Sequence, residues 1–153
     1  MMYRIFVFFL ILFVLQSCGK EPDDNENPKG EIPETPYIEL QDFNPKSIQQ
    51  FDSVVFTIFY QDGDGDLGFQ SGDSLSLWIT DERFPLEQGF HIPPLSPVDT
   101  AISIQGTFQV TLKNVILENQ SVSEEKATFA IKIKDRAGNW SNEVKSGELT
   151  IKK

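Results

Sequence analysis

Hydrophobic and polar residues alternate with a period of two along most of the chain after residue 37. The longest such run covers residues 54–60, and three further runs centre on Leu77, Val110 and Ile131. Successive side chains of a β-strand point to opposite faces, so each run predicts a strand with one apolar face. Short strands separated by turn residues predict an all-β fold, a single antiparallel sandwich over residues 37–153.

The remaining segments complete this picture. Residues 37–40 are expected to open the set of strands, and Val144 with residues 149–151 to form the last one. Residues 81–99 contain four prolines and are expected to form one long loop. Long loops in compact domains tend to carry function.

The first part of the chain follows a different pattern. Arg4 is followed by eleven consecutive apolar residues, 5–15, and then by Gln16, Ser17 and Cys18, the single cysteine. Eleven residues are too few to cross a hydrocarbon core of about 30 Å as a helix. A cation, a short apolar run and a small residue before the cleavage point are typical of a secretory signal peptide. Residues 1–17 are therefore predicted to be removed.

The residues around this point resemble the lipobox of bacterial lipoproteins, with Leu15, Ser17 and Cys18 in the matching positions. The resemblance implies that Cys18 is acylated and that the lipid holds the protein on a membrane. An ordinary secretory signal with an incidental cysteine is the alternative. Residues 18–36, with four prolines and six acidic residues, are too polar to fold and predict an acidic tether.

Two resemblances point to a bacterial group and a fold. Residues 20–24 are similar to the acidic export signal of surface-exposed lipoproteins of the Bacteroidetes, which implies an outer-membrane lipoprotein at the cell surface; a periplasm-facing one is the alternative. The Asp135–Asn139 turn followed by Asn142 resembles the last hairpin of bacterial immunoglobulin-like and fibronectin-type domains. It implies an immunoglobulin-like β-sandwich. Asp135 and Asn142 are expected to bond turn amides, and the Gly138-Asn139 pair to supply a positive φ.

The sharpest chemical signal is the acidic run after the first long strand. Asp62, Asp64 and Asp66 alternate with other residues, and hard oxygen ligands at such spacing suit Ca²⁺. The run resembles the calcium loop of EF-hand proteins, which implies a ligand set listed here: Asp62, Asp64, Asp66, the Gly68 carbonyl and Asp73. Leu67 and Asp73 depart from that pattern. A solvated hairpin loop whose aspartates make local turns is the alternative.

The composition of the chain excludes some classes of partner and of activity. The formal net charge of −10 makes nucleic acid a poor partner, because like charges repel. With one histidine, His91, the sequence offers no convincing set of acid, base and nucleophile, so no enzymatic activity is expected. Four aromatic residues are candidates for contacting a ligand: Trp78, Phe84, Phe90 and Trp140.

These observations predict a non-catalytic, lipid-anchored extracytoplasmic binding or adhesion module, with calcium as its candidate cofactor. Its expected partners are the membrane, through the lipid on Cys18, and an envelope protein or a glycan. The alternative is a structural accessory lipoprotein of an outer-membrane assembly, glycan-uptake systems included, with no ligand of its own.

Overall fold

The computed structural model describes residues 31–84 and 86–153. The predicted signal peptide, the predicted acylation at Cys18 and most of the predicted tether lie outside these residues. The described residues belong to a compact unit that begins at Glu31, six residues before the predicted domain boundary. They contain no helix, and hence none with the length and apolar character needed to cross a membrane.

Ten strands make up the described part of the chain: β1 (Tyr37–Asn44), β2 (Ser47–Gln49), β3 (Val54–Asp62), β4 (Leu77–Asp81), β5 (Glu87–Phe90), β6 (Ile104–Leu112), β7 (Glu124–Ala127), β8 (Phe129–Ile133), β9 (Val144–Lys145) and β10 (Leu149–Lys152). They form three sheets with the orders β1-β3-β6, β2-β10-β7 and β5-β4-β8-β9. The fold is all-β, as predicted, and its packing is consistent with a sandwich.

The apolar faces of all three sheets share one core. Phe56 of β3 lies at its centre, with its ring 5.6 Å from the ring of Phe129 on β8 and 6.2 Å from that of Phe43 on β1. Burying a side chain of this size contributes about 1.5–3 kcal/mol. Because each ring comes from a different strand, the contacts join β1 and β3 of one sheet to β8 of another.

Strand β3 places the candidate site. Its burial alternates along its whole length, with Val54, Phe56, Ile58 and Tyr60 on the core side. Asp62 is the last residue of the strand and falls on the same side by the same period of two. The period that builds the core therefore carries a carboxylate into the interior.

Three local predictions were wrong. The run around Ile131 forms two strands, because the chain changes sheets at Thr128: β7 pairs with β10, and β8 pairs with β4. The predicted last strand is likewise two strands, β9 and β10, in different sheets. The predicted loop 81–99 contains the edge strand β5, which holds Glu87, Gln88 and Gly89 and so shows little apolar alternation.

Candidate metal centre

The acidic loop, residues 62–69, leaves the end of β3 and is enclosed by other loops. The carbonyl oxygen of Asp64 accepts a hydrogen bond from the N–H of Ile102 at 3.2 Å. Gly65 has a φ of +71°, and a Cβ there would collide with the carbonyl oxygen of Ile102. Leu67 is completely buried in the core. The loop is therefore anchored by an apolar side chain rather than left in solvent.

Asp62 is the unusual residue of this loop. Its side chain is completely buried, and neither carboxylate oxygen has a well-aligned hydrogen-bond partner among the described residues, although the nearby N–H of Asp66 favours its charged form. Burying a charged group without a partner is costly, and in folded proteins such groups are paired or bound to metal. The arrangement therefore requires something that neutralises the carboxylate.

Other carboxylates converge on Asp62 instead of cations. One carboxylate oxygen from each of Asp62, Asp66 and Asp135 lies within 4.8 Å of the others. Oδ1 of Asp66 is itself buried without a partner, and so is Oδ1 of Asp64. Carboxylate oxygens of Asp62, Asp66 and Asp135 thus face one small region.

Asp135 reaches this region from the turn between β8 and β9. Its Oδ1 accepts hydrogen bonds from the N–H groups of Gly138 and Asn139, both at 2.6 Å. Gly138 has a φ of +99°, which glycine adopts without strain. The predicted turn roles of Asp135 and Gly138 are confirmed. That of Asn142 was wrong, because its side-chain amide bonds the N–H and the carbonyl oxygen of Ile38 on β1.

The electrostatics of the site follow from its burial. Burial is the main cause that raises the pKa of Asp62, and together with the charges of Asp64 and Asp66 it brings the value to about 6. Burial also raises the pKa of Asp66, although the N–H of Ala137 opposes the rise by bonding its Oδ2 at 2.8 Å. A raised pKa means that Asp62 takes up a proton or a cation more readily than an exposed aspartate does.

The structure brings together part of the ligand set that the sequence predicted. Asp62 and Asp66 lie in the cluster, and Asp64 turns a buried oxygen inward. The carbonyl oxygen of Gly68 instead accepts a hydrogen bond from Nη1 of Arg136 at 3.0 Å. Asp73 is exposed, and its N–H bonds Oγ of Ser71 at 3.4 Å.

The sequence predicted a turn role for Asp135 but not its place beside Asp62. Nothing in its local pattern indicates that the turn between β8 and β9 lies against the end of β3. The proximity arises because the core joins the two sheets that carry these elements. The missing signal was therefore tertiary.

No family model matches the chain, and no curated protein or solved structure is significantly similar to it. What the cluster can hold is inferred from its own atoms. Carboxylate oxygens are hard ligands, and Ca²⁺ accepts six to eight of them in irregular geometry. Mg²⁺ demands a near-ideal octahedron, which a cluster of carboxylates from two separate loops does not readily supply. The donor set therefore fits Ca²⁺ best.

Two of the four candidate ligand-facing residues form a pair on the outer face of the β5-β4-β8-β9 sheet. The rings of Trp78 and Trp140 lie 4.7 Å apart, and Trp140 is 42% exposed. The ammonium groups of Lys132 and Lys134 lie 4.7 Å and 5.4 Å from the centre of a Trp140 ring. Cations near an aromatic face attract it, so part of the exposed surface of Trp140 is already used.

The other two candidates line separate cavities. Phe84 borders a cavity of about 240 Å³ together with Leu86 and Ile116, which are 72% and 42% exposed. Phe90 packs against the core and borders a cavity of about 400 Å³. The four aromatic residues therefore do not form one continuous face.

Proposed function

We propose that this chain is a non-catalytic, lipid-anchored extracytoplasmic binding module whose immunoglobulin-like sandwich is stabilised by Ca²⁺. The observation that carries the proposal is Asp62, a completely buried carboxylate with two unpartnered oxygens facing Asp66 and Asp135. A divalent cation offsets the cost of this arrangement, and the residues Asp62, Asp64, Asp66 and Asp135 would hold it.

The cation's role is structural. The oxygens of Asp62, Asp64 and Asp66 that lack partners are buried, so a bound ion would be enclosed by protein. An enclosed ion joins the elements that supply its ligands and leaves little room for a substrate. Here those elements are the end of β3 and the turn after β8, which belong to different sheets.

The proposed location makes modest affinity sufficient. A lipid on Cys18 would hold the domain outside the cytoplasm, and extracellular modules bind calcium at about 10⁻⁴–10⁻³ M. We also propose that the domain is not catalytic, because its single histidine is used in a structural contact. Nδ1 of His91 lies 3.0 Å from the carbonyl oxygen of Ser74, a contact that holds the ring against a neighbouring loop.

The alternative function, a structural accessory lipoprotein of an outer-membrane assembly, has its own support. Leu86 and Ile116 are exposed beside the cavity that Phe84 borders. Exposed apolar residues around a cavity are the kind of surface that proteins bury against one another. A protein partner is therefore favoured over a glycan at this position, whereas the Trp78–Trp140 pair is the place that a glycan would use.

Calcium titration tests the proposal. Isothermal titration calorimetry of the chelator-treated protein should show binding, and millimolar Ca²⁺ should raise the melting temperature. Stabilisation by a ligand of the folded state is about 2.7 kcal/mol at a hundred times Kd. The same concentration of Mg²⁺ should raise the melting temperature less.

Two variants of the same loop provide the control. Asp62→Asn removes a charge from the cluster and should abolish the response to calcium. Asp73→Asn removes the same charge from an exposed position outside the cluster and should leave the response unchanged. A wild-type melting curve that ignores Ca²⁺ would overturn the proposal. A response lost in Asp73→Asn but kept in Asp62→Asn would overturn this ligand set.

A further inference from the structure

The segment that leads into the domain, residues 31–36, passes directly over the acidic loop. The N–H of Gly63 donates a hydrogen bond to the carbonyl oxygen of Pro33 at 2.8 Å. A Cβ at Gly63 would lie 2.7 Å from the same oxygen and would collide with the carbonyl oxygen of Ile32. Only a glycine lets the two backbones approach this closely. The contact falls between Asp62 and Asp64, two of the residues proposed to hold the cation.

We propose that calcium binding fastens residues 31–36 to the domain and that calcium loss releases them. This inference rests on the proposed function, because it needs a cation at Asp62 and Asp64. Without the cation the buried carboxylates repel one another, and opening the start of the loop relieves that repulsion. Gly63 moves with its two neighbours, and its hydrogen bond to Pro33 is lost.

The opening is confined to the start of the loop. Leu67 is completely buried and keeps the later part of the loop in place. Within residues 32–36, Pro33, Glu34 and Thr35 are exposed, and Pro36 is buried. Segments with few buried contacts open at low free energy without unfolding the rest of a protein.

Release of this segment has a consequence for an anchored protein. The bonds that follow Glu31 and Glu34 lie between the proposed lipid on Cys18 and the first strand. A protease requires a locally opened chain, so calcium would protect these bonds while it is bound. Cleavage there after calcium loss separates the domain from its anchor. The site would then link calcium concentration to retention at the membrane.

Limited proteolysis of the full-length chain tests this inference. A glutamate-specific protease is applied in millimolar Ca²⁺ or in chelator, and mass spectrometry follows fragments that begin at Ile32 or Thr35. Cleavage should be about tenfold slower with calcium, because proteolysis tracks the population of the opened state. Cleavage after the exposed Glu118, which lies far along the chain in another loop, should change much less. Equal protection at Glu118 would indicate global stabilisation and would overturn the inference.

The variant Gly63→Ala separates the inference from the proposed function. Its Cβ would collide with Ile32 and Pro33 but removes no carboxylate, so calorimetry should still show calcium binding. Protection after Glu31 and Glu34 should be lost. Calcium binding by the wild type with no difference in cleavage would overturn the inference and leave the proposed function standing. Absence of calcium binding would overturn the proposed function itself.

Hydrogen exchange provides a readout that does not depend on the variant folding. The amide of Gly63, which donates the hydrogen bond to Pro33, should exchange about tenfold more slowly in Ca²⁺ than in chelator, as expected for a local opening equilibrium. Circular dichroism establishes whether Gly63→Ala is folded. Unchanged exchange in a wild type that binds calcium would contradict the inference even if the variant fails to fold.

Discussion

The carboxylates of Asp62 and Asp135 lie within 4.8 Å of each other, although one ends a strand of the β1-β3-β6 sheet and the other follows a strand of the β5-β4-β8-β9 sheet. Like charges at this distance destabilise the fold unless a counter-charge lies between them. A counter-charge at this position would instead connect the two sheets. The effect of Asp62 on stability therefore depends on the cation, which yields the first prediction.

The effect of Asp62→Asn on the free energy of unfolding should change sign when calcium is added. In chelator at pH 7.5 the variant should be more stable than the wild type by about 1–2 kcal/mol, because it removes a buried charge whose pKa is raised. In saturating Ca²⁺ it should be the less stable protein. Urea unfolding in both conditions measures the difference. A variant that is less stable than the wild type in chelator would contradict the charge argument.

Arg83, which follows the end of β4, is expected to be a major contributor to the stability of the fold. Its guanidinium bonds Asp81 at 2.7 Å, Glu125 at 2.9 Å and the carbonyl oxygen of Ile116 at 3.0 Å. The side chain is 12% exposed, so Arg83→Met would leave two partly buried carboxylates unpaired. Thermal and urea unfolding should show a loss of about 3 kcal/mol.

The exposed pair Lys126–Glu148 offers a matched control for that experiment. Both side chains are more than half exposed, at 65% and 62%. Lys126→Met should therefore lower the free energy of unfolding far less than Arg83→Met does. The calcium response should be intact in both variants. Equal losses in the two variants would show that burial of the Arg83 pairs contributes nothing.

The lowered pKa of Glu125 predicts that its contribution to stability is lost in acid. The N–H of Asn119 lowers its pKa below the ordinary 4.5, and the N–H of Glu118 and the charge of Arg83 act in the same direction. A lowered pKa in the folded state contributes stability that is complete above the unfolded value and is lost as the pH falls below it. The difference in unfolding free energy between wild type and Glu125→Gln should therefore shrink from pH 7 to pH 3.5. A difference that stays constant over this range would contradict the assignment.

Cys18→Ser should release the protein from membranes. Acyl chains contribute about 0.8 kcal/mol per buried CH₂, and several of them anchor a protein durably. In detergent phase separation the wild type should enter the detergent phase and the variant the aqueous phase. A variant that still partitions with membranes would rule out the lipid anchor.

Much of the fold could be predicted because the period of two is a local signal. The alternating run over residues 54–60 correctly predicted which face of β3 packs in the core. The same period of two places the side chain of Asp62 in the interior. The change of sheet at Thr128 could not be predicted, because alternation continues through it and only pairing partners reveal it. β5 was missed because an edge strand with few apolar residues has no such signal.

The candidate site was predicted in part for the same reason. The spacing of Asp62, Asp64 and Asp66 is local, and it indicated the loop to which two residues of the aspartate cluster belong. Asp73 was placed in the set by resemblance to a loop whose later half is different here, since Leu67 is buried in the core. Asp135 joins the cluster through tertiary packing, which no spacing within the loop could indicate.

The bonds between Asn142 and Ile38 have a mechanical consequence. β1 is the edge strand through which the chain enters its sheet, and the side chain of Asn142 fastens its second residue on the side away from β3. If the chain is tethered through its first residues, drag on a bound partner is transmitted to Tyr37. Force along β1 shears the bonds to β3 together instead of opening them one by one. The two hydrogen bonds between Asn142 and Ile38 lie at the end of β1 where that load arrives.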